Sequence, residues 1–220
     1  MSAIPTIKPT AAPSAGLPRV ADRAIDAAER LLVLALYAWL VWRLVQGYRV
    51  DGKVANLLLL PSEGLVVVFM LLRRRASEIS RRPVEWLLAV GATCAPMLVT
   101  SGGRALAPAT VCATVLMMGL LVQLHAKLTL GRSIGCIPAH RGLKLAGPYR
   151  FVRHPMYAGY MLSHLGFLAM NPTPLNLTLY VLDYALQIPR LMAEERLLGG
   201  DPLYREYQAS VRYRLIPGLF

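Results

Sequence analysis

The chain has 220 residues, 55% of them hydrophobic and 16% charged, and a formal net charge of +12 at pH 7. A charged fraction so far below the usual quarter of soluble domains, with a mean hydropathy of +0.46 and apolar residues in blocks rather than stripes, excludes a water-soluble helical core, whose helices need polar faces. The length allows one domain, or one domain and a tail.

From the amino terminus, residues 1–22 form a Pro/Ala-rich tail, with Pro5, Pro9, Pro13 and Pro18 among Ala, Ser and Thr, and read as disordered. They are not a secretory signal, because the apolar stretch that follows starts too late and is too long. Residues 25–45, 54–72, 84–99 and 106–124 are apolar blocks of roughly 16–21 residues, the range of a membrane-spanning helix. Residues 156–170 and 175–188, joined by Asn171-Pro172-Thr173-Pro174, predict a helical hairpin. The expected fold is therefore all-α, a polytopic membrane helical bundle of about six spans. Glu63, inside the second block, is an intramembrane acid. It is a functional candidate by default, or a residue near the outer surface or paired with a polar group on another helix.

Basic residues set the orientation. Lys8, Arg19, Arg23 and Arg30 precede the first block, and Arg73, Arg74, Arg75, Arg81 and Arg82 follow the second. Lys127, Arg132, Arg141, Lys144, Arg150 and Arg153 follow the fourth, and Arg190, Arg196, Arg205, Arg212 and Arg214 follow the sixth. The alternate connections hold only Arg49, Lys53 and Arg104. The positive-inside rule then places both termini in the cytoplasm, and the Arg-rich, Ala-rich composition suits a bacterial inner membrane. This asymmetry accounts for the charge without a polyanionic partner, and no nucleic-acid motif accompanies it. Cys94, Cys112 and Cys136 have neither disulfide-framework nor zinc-site spacing.

At the end of the fourth block, Lys127 reads as a topological anchor snorkelling to headgroups, and His125 as a hydrogen-bonded structural histidine. The densest polar stretch comes next, residues 147–159, with Gly147, Pro148, Tyr149, Arg150, Arg153, His154, Tyr157 and Gly159. Gly147-Pro148 must turn sharply. His154 precedes Pro155, so a helix starts there and Arg150, Arg153 and His154 gather at its N-terminus, where free N–H groups favour an anion such as a carboxylate. Lipid phosphate is the blander guest. Gly159 permits close approach of a ligand or of a neighbouring helix. Beyond Pro189, Glu194 and Glu195 form a second cluster of opposite charge. Adjacent positions diverge by roughly 100° on a helix, so at most one faces inward while the other reaches a loop or a neighbouring Arg. Asp201-Pro202 starts a last amphipathic helix carrying Leu203, Tyr204, Tyr207 and Val211, suited to an interfacial lid.

Taken together, Leu130-Gly131-Arg132-Ser133, Gly147-Pro148-Tyr149, Arg153-His154-Pro155, Tyr157, Gly159, Glu194-Glu195, Tyr204 with Tyr207, and Ile216-Pro217 resemble the isoprenylcysteine carboxyl methyltransferase family and the related phospholipid methyltransferases. The resemblance covers about residues 130–220. The apolar blocks make residues 23–125 the amino-terminal transmembrane helices, and the resemblance implies residues 126–220 as a methyltransferase-like region with a cytoplasmic cofactor-binding segment. It further implies a membrane-embedded, S-adenosylmethionine-dependent enzyme whose lipid-like or prenylated methyl acceptor enters from the bilayer. Carried over, Gly147, Pro148, Tyr149, Arg153, His154, Tyr157, Gly159, Glu194 and Glu195 would contact the cofactor, Arg153 and Glu194 would serve catalysis, and no metal is required. Membrane sterol reductases share an Arg-His-Pro-x-Tyr segment and an ending like Tyr213-Arg214-Leu215-Ile216-Pro217. An NADPH-dependent reductase, or a non-enzymatic lipid-binding scaffold, is therefore the alternative. Oligomeric state and acceptor identity are not legible.

Overall fold

The computed structural model describes residues 20–51 and 60–220, so most of the expected tail and the start of the second apolar block lie outside the described residues. Helix α1 spans Val20–Asp51, α2 Leu60–Leu72, α3 Pro83–Cys94, α4 Ala109–Leu130, α5 Pro155–Met170, α6 Pro174–Leu198 and α7 Pro202–Ser210. Two short strands, β1 (Glu78–Ile79) and β2 (Ala139–His140), pair antiparallel with Glu78 opposite His140. The all-α expectation therefore holds.

Proline and capping chemistry set the helix starts. Pro83, Pro155, Pro174 and Pro202 each open a helix, where a missing N–H costs nothing. Thr173 Oγ1 accepts from the Asn176 N–H at 3.1 Å, and Asp201 Oδ1 from the Leu203 N–H at 2.9 Å. Asp201 Oδ2 also lies 2.9 Å from His140 Nε2, tying α7 to β2. Asp201→Ala is expected to cost about 1 kcal/mol as a lost cap, seen as a small fall in melting temperature of the detergent-purified protein.

Length and composition single out Ala109–Ser133, which contains α4, as a helix able to cross a membrane, while Glu63–Leu72 and Pro83–Leu98 are apolar but shorter. Pro96 explains the shortness of the third block, because the chain leaves α3 there for a 3₁₀ turn, Ala95–Leu98. Six membrane-length helices are thus not present among the described residues.

Helix α5 packs along α4 rather than along α6. A Cβ on Gly159 would stand 2.7 Å from the Gln123 backbone N, one on Gly119 2.8 Å from the Gly159 carbonyl O, and one on Gly166 2.8 Å from the Leu116 Cα. These glycines let the two backbones touch, a packing mode characteristic of membrane helices. Gln123 Nε2 donates to Ser163 Oγ across the seam at 2.7 Å. The expected hairpin does reverse at 171–174, but its arms meet mainly through side chains. His164 stacks on Tyr180 with ring centroids 4.5 Å apart, and its Nδ1 lies 3.2 Å from the Tyr184 hydroxyl.

Two buried ion clusters bind the amino-terminal helices to the rest. Glu29, on α1, is fully buried. Its Oε1 accepts from the Cys136 and Ile137 N–H groups at 2.8 and 3.0 Å, and its Oε2 pairs with Arg141 at 2.7 Å and Arg73 at 2.9 Å. The second cluster corrects an expectation. Lys127 does not snorkel; its side chain is buried, and Nζ donates to Glu63 Oε1 at 3.0 Å. The isolated acid of the second block and the supposed anchor of the fourth are partners, which spares both an unpaired charge. His125 departs from expectation too, since it is exposed and its side chain makes no hydrogen bond among the described residues.

Candidate functional site

A cleft of about 780 Å³, open mouth included, lies where α4, α5, α6 and α7 converge. Its floor is the 133–145 loop held by Glu29, including Cys136, Ile137 and Arg141. One wall is the start of α5, with His154 and Tyr157, and another is the end of α6, with Arg190, Glu194 and Leu198. Tyr204 and Tyr207 on α7 close a third side, packed on Leu143, Leu145 and Leu198. The Tyr207 hydroxyl donates to the Tyr149 carbonyl at 2.7 Å, so the amphipathic last helix forms a cleft wall rather than a loose cover.

The adjacent glutamates part as their helical positions require. Glu194 faces the cleft and accepts from the Tyr157 hydroxyl at 3.2 Å. Glu195 turns to the carboxy-terminal tail. Its Oε1 receives Arg153 Nε at 2.7 Å and lies 3.2 Å from His154 Nε2, and its Oε2 receives Arg214 Nε at 2.9 Å. Arg153 also donates from one terminal nitrogen to the Val211 and Arg212 carbonyls at 2.9 and 2.8 Å. The backbone N–H groups of Arg153 and His154 donate to the carbonyls of Tyr213 and Arg214. Much of the anion-binding capacity expected at this helix start is therefore taken by the chain's own tail.

Of the residues singled out from sequence, Tyr149, Arg153, His154, Tyr157 and Glu194 line the cleft. Gly147, Pro148, Gly159 and Glu195 stand behind its walls. Gly147 adopts φ +59°, a left-handed turn in which a Cβ would press 2.8 Å from Thr129 Oγ1. Gly159 serves the neighbouring helix α4. Sequence reasoning passed over Arg190, which it counted only towards orientation. Its spacing to Gln187 and Glu194, three and four residues away on one helix face, is the signal that could have found it. It also passed over Asp183, buried in α6 with no hydrogen-bond donor to its carboxylate and His164 Nδ1 at 3.4 Å.

Electrostatics fix the roles open to these groups. Burial raises the phenols of Tyr149, Tyr204 and Tyr207 above their ordinary value, with the nearby glutamates adding to it, so at neutral pH they are hydrogen-bond donors and not bases. Burial alone would raise Glu195, but hydrogen bonds from His154, Arg153 and Arg214 outweigh it and bring the carboxyl down to about 2.

The described residues thus combine one apolar helix of membrane-crossing length with a tyrosine-lined cleft of mixed charge at the helix ends. Residues 109–200 match the phospholipid methyltransferase family, in keeping with the resemblance read from the motifs. No curated protein matches the chain.

Proposed function

We propose that the chain is an integral membrane methyltransferase that takes its methyl group from S-adenosylmethionine and passes it to a lipid-like acceptor bearing a carboxylate or an amine. The observation carrying this reading is the cleft's donor set, lying mostly within the family segment. It offers a carboxylate at Glu194, a buried guanidinium at Arg190 and the aromatic faces of Tyr149, Tyr157, Tyr204 and Tyr207. Those groups suit the amine, carboxylate and sulfonium of one ligand, because a cation is favoured over aromatic rings and charged partners give the strongest hydrogen bonds.

Glu194 and Tyr157 would hold the cofactor's amine or ribose hydroxyls. Arg153 and His154, bound to Glu195, would shape the wall and close the tail over it. S-adenosylmethionine supplies an electrophilic methyl on sulfur when bound. The chain's part is alignment and exclusion of water, the main requirement of in-line displacement. A carboxylate acceptor arrives already ionised and needs no base. A smaller cavity lined by Tyr157, Tyr160, Tyr184, Gln187, Ile188, Leu191 and Leu215 shares Tyr157 with the cleft and lies between α5 and α6. That is the route we propose for an acceptor from the bilayer. In this reading the helices together form the membrane bundle, with both termini and the cleft cytoplasmic, the orientation that the basic loops favour.

Calorimetry on the detergent-purified protein with S-adenosylmethionine, S-adenosylhomocysteine and NADPH tests the reading. Saturable binding of the adenosyl ligands is expected, and Glu194→Gln should weaken it on the order of tenfold or more, the worth of a charged hydrogen bond. Binding of NADPH alone would move the protein to the reductases. Binding of none by folded protein would leave a lipid-binding scaffold.

A further inference from the structure

The hairpin holds a buried acid outside the cleft. Asp183, near the middle of α6, is fully buried, and neither of its carboxylate oxygens has a hydrogen-bond donor among the described residues. An ionisable group within a membrane-spanning segment marks a functional site by default, and a buried charge left without a partner is costly. The titratable group within reach is His164, across the hairpin on α5, whose Nδ1 lies 3.4 Å from Asp183 Oδ2. The same Nδ1 stands 3.2 Å from the Tyr184 hydroxyl. Tyr184 in turn lines the smaller cavity between α5 and α6, which shares Tyr157 with the cleft.

One ring nitrogen cannot serve both oxygens at once. Without a proton, Nδ1 accepts from the Tyr184 hydroxyl and Asp183 stays without a donor. With a proton, it donates to Asp183 and the acid gains a counter-ion. The pair thus has one state that draws a proton from Tyr184 and another that holds it, the way a buried carboxylate supports an imidazole base. Facing His164 are Tyr160 on its own helix, with ring centroids 6.1 Å apart, and Tyr180 on α6, stacked at 4.5 Å. Beyond Tyr160 stand Lys127 and Glu63, paired with each other. None of these gives Asp183 a hydrogen bond.

We propose that Tyr184, His164 and Asp183 form a proton relay beside the acceptor. Tyr184 touches the acceptor, His164 receives the proton through it, and Asp183 is a positioning group that holds the imidazolium. The inference rests on the methyltransferase reading and requires an acceptor whose nucleophile arrives with a proton to lose, as a lipid ammonium does and a carboxylate does not. The ammonium gives a proton to the Tyr184 oxygen as the phenol's own proton passes to His164 Nδ1. The freed nitrogen lone pair then bonds to the methyl carbon while the carbon–sulfur bond breaks, and that bond's electrons stay on sulfur. Charge is conserved, since ammonium and sulfonium become methylated ammonium and imidazolium.

The test uses the full-length protein in detergent with dodecylamine as the acceptor probe. Nitrogen NMR spectra of ring-labelled histidine, with His164 assigned by its loss in His164→Gln, report the state of Nδ1. A bare Nδ1 is expected without the amine and an imidazolium with it at the same pH, and Asp183→Asn should prevent the change. In turnover, His164→Gln and Tyr184→Phe should lower kcat on the order of a hundredfold or more, the range of general-base catalysis, with KM little moved. The β-difluorinated derivative of dodecylamine is largely unprotonated in mildly alkaline buffer and needs no base, so both variants should match wild type on it. Lost packing would slow both amines alike. A His164 signal that ignores the amine overturns the relay, as do variants that keep the wild-type rate or are equally slow on both amines. Methylation of an isoprenoid acid but not of dodecylamine also overturns it and leaves the methyltransferase reading standing. Wild type that binds no adenosyl ligand in calorimetry overturns both.

Discussion

Glu195→Ala is expected to destabilise the protein by about 3–5 kcal/mol, the usual result of removing one partner from a buried ion pair. The Glu195 side chain is 7% exposed and serves Arg153, His154 and Arg214 together. Without it Arg153 keeps a buried charge with only carbonyl acceptors, and the tail loses the link that fastens Arg214 to α6. The loss should appear as a large fall in melting temperature, with rapid hydrogen exchange confined first to residues 211–220. A variant that melts with wild type would show that Glu195 does not hold the tail. Acid should reproduce the effect. The folded protein keeps this carboxyl at about 2, whereas an unfolded chain returns it to its ordinary value near 4.5. Its contribution is therefore whole above about pH 4.5 and disappears as the pH falls through 2, and Glu195→Gln should abolish that pH dependence.

Gly159→Leu is the second large effect. The α4–α5 seam has no room for a side chain, since even a Cβ would stand 2.7 Å from both the backbone N and the Cγ of Gln123 and 2.9 Å from the Gly119 carbonyl. Backbone cannot rotate aside as a side chain can, so the helices must separate, and the 2.7 Å bond between Gln123 and Ser163 parts with them. A loss of about 3 kcal/mol or more is expected, at the upper end of core overpacking, with Gly159→Ala intermediate. Unfolding curves in mixed detergent micelles, ordered glycine, alanine, leucine, would confirm the seam. Equal stability of all three would place Gly159 against a ligand instead.

Much of the architecture was legible because its causes are local. Pro155, Pro174 and Pro202 announce helix starts, Asn171-Pro172-Thr173-Pro174 announces a reversal, and the divergence of Glu194 from Glu195 follows from helix geometry alone. What stayed hidden depends on residues distant in the chain. Nothing near Lys127 says that Glu63 will meet it, and nothing near Arg153 says that the Val211 and Arg212 carbonyls, 58 and 59 positions on, will take its donors. Basic residues were therefore read by the rule that fits most of them, orientation, and several that face inward, Arg73, Lys127, Arg141 and Arg190, were read with the crowd. Gly159 was legible as a point of close approach, but the sequence does not say whether a ligand or a helix does the approaching.

The clamp built on Glu29 separates two units that are easily taken for one. Among the described residues none lining the cleft precedes Leu130, and the segment that matches the methyltransferase family starts at residue 109. Yet the floor of the cleft hangs from α1 through Glu29, from Arg73 and from the Arg74 N–H, which donates to the Arg132 carbonyl at 2.7 Å. From α3, Glu85 reaches Arg196 on the far wall. The segment matched by the family and the frame that spaces the cleft walls thus have different boundaries. A graft of residues 109–200 into a foreign bundle would carry most of the cleft's lining without the spacing between its walls, and substitutions in the amino-terminal helices can reshape the cleft without altering a single residue that lines it.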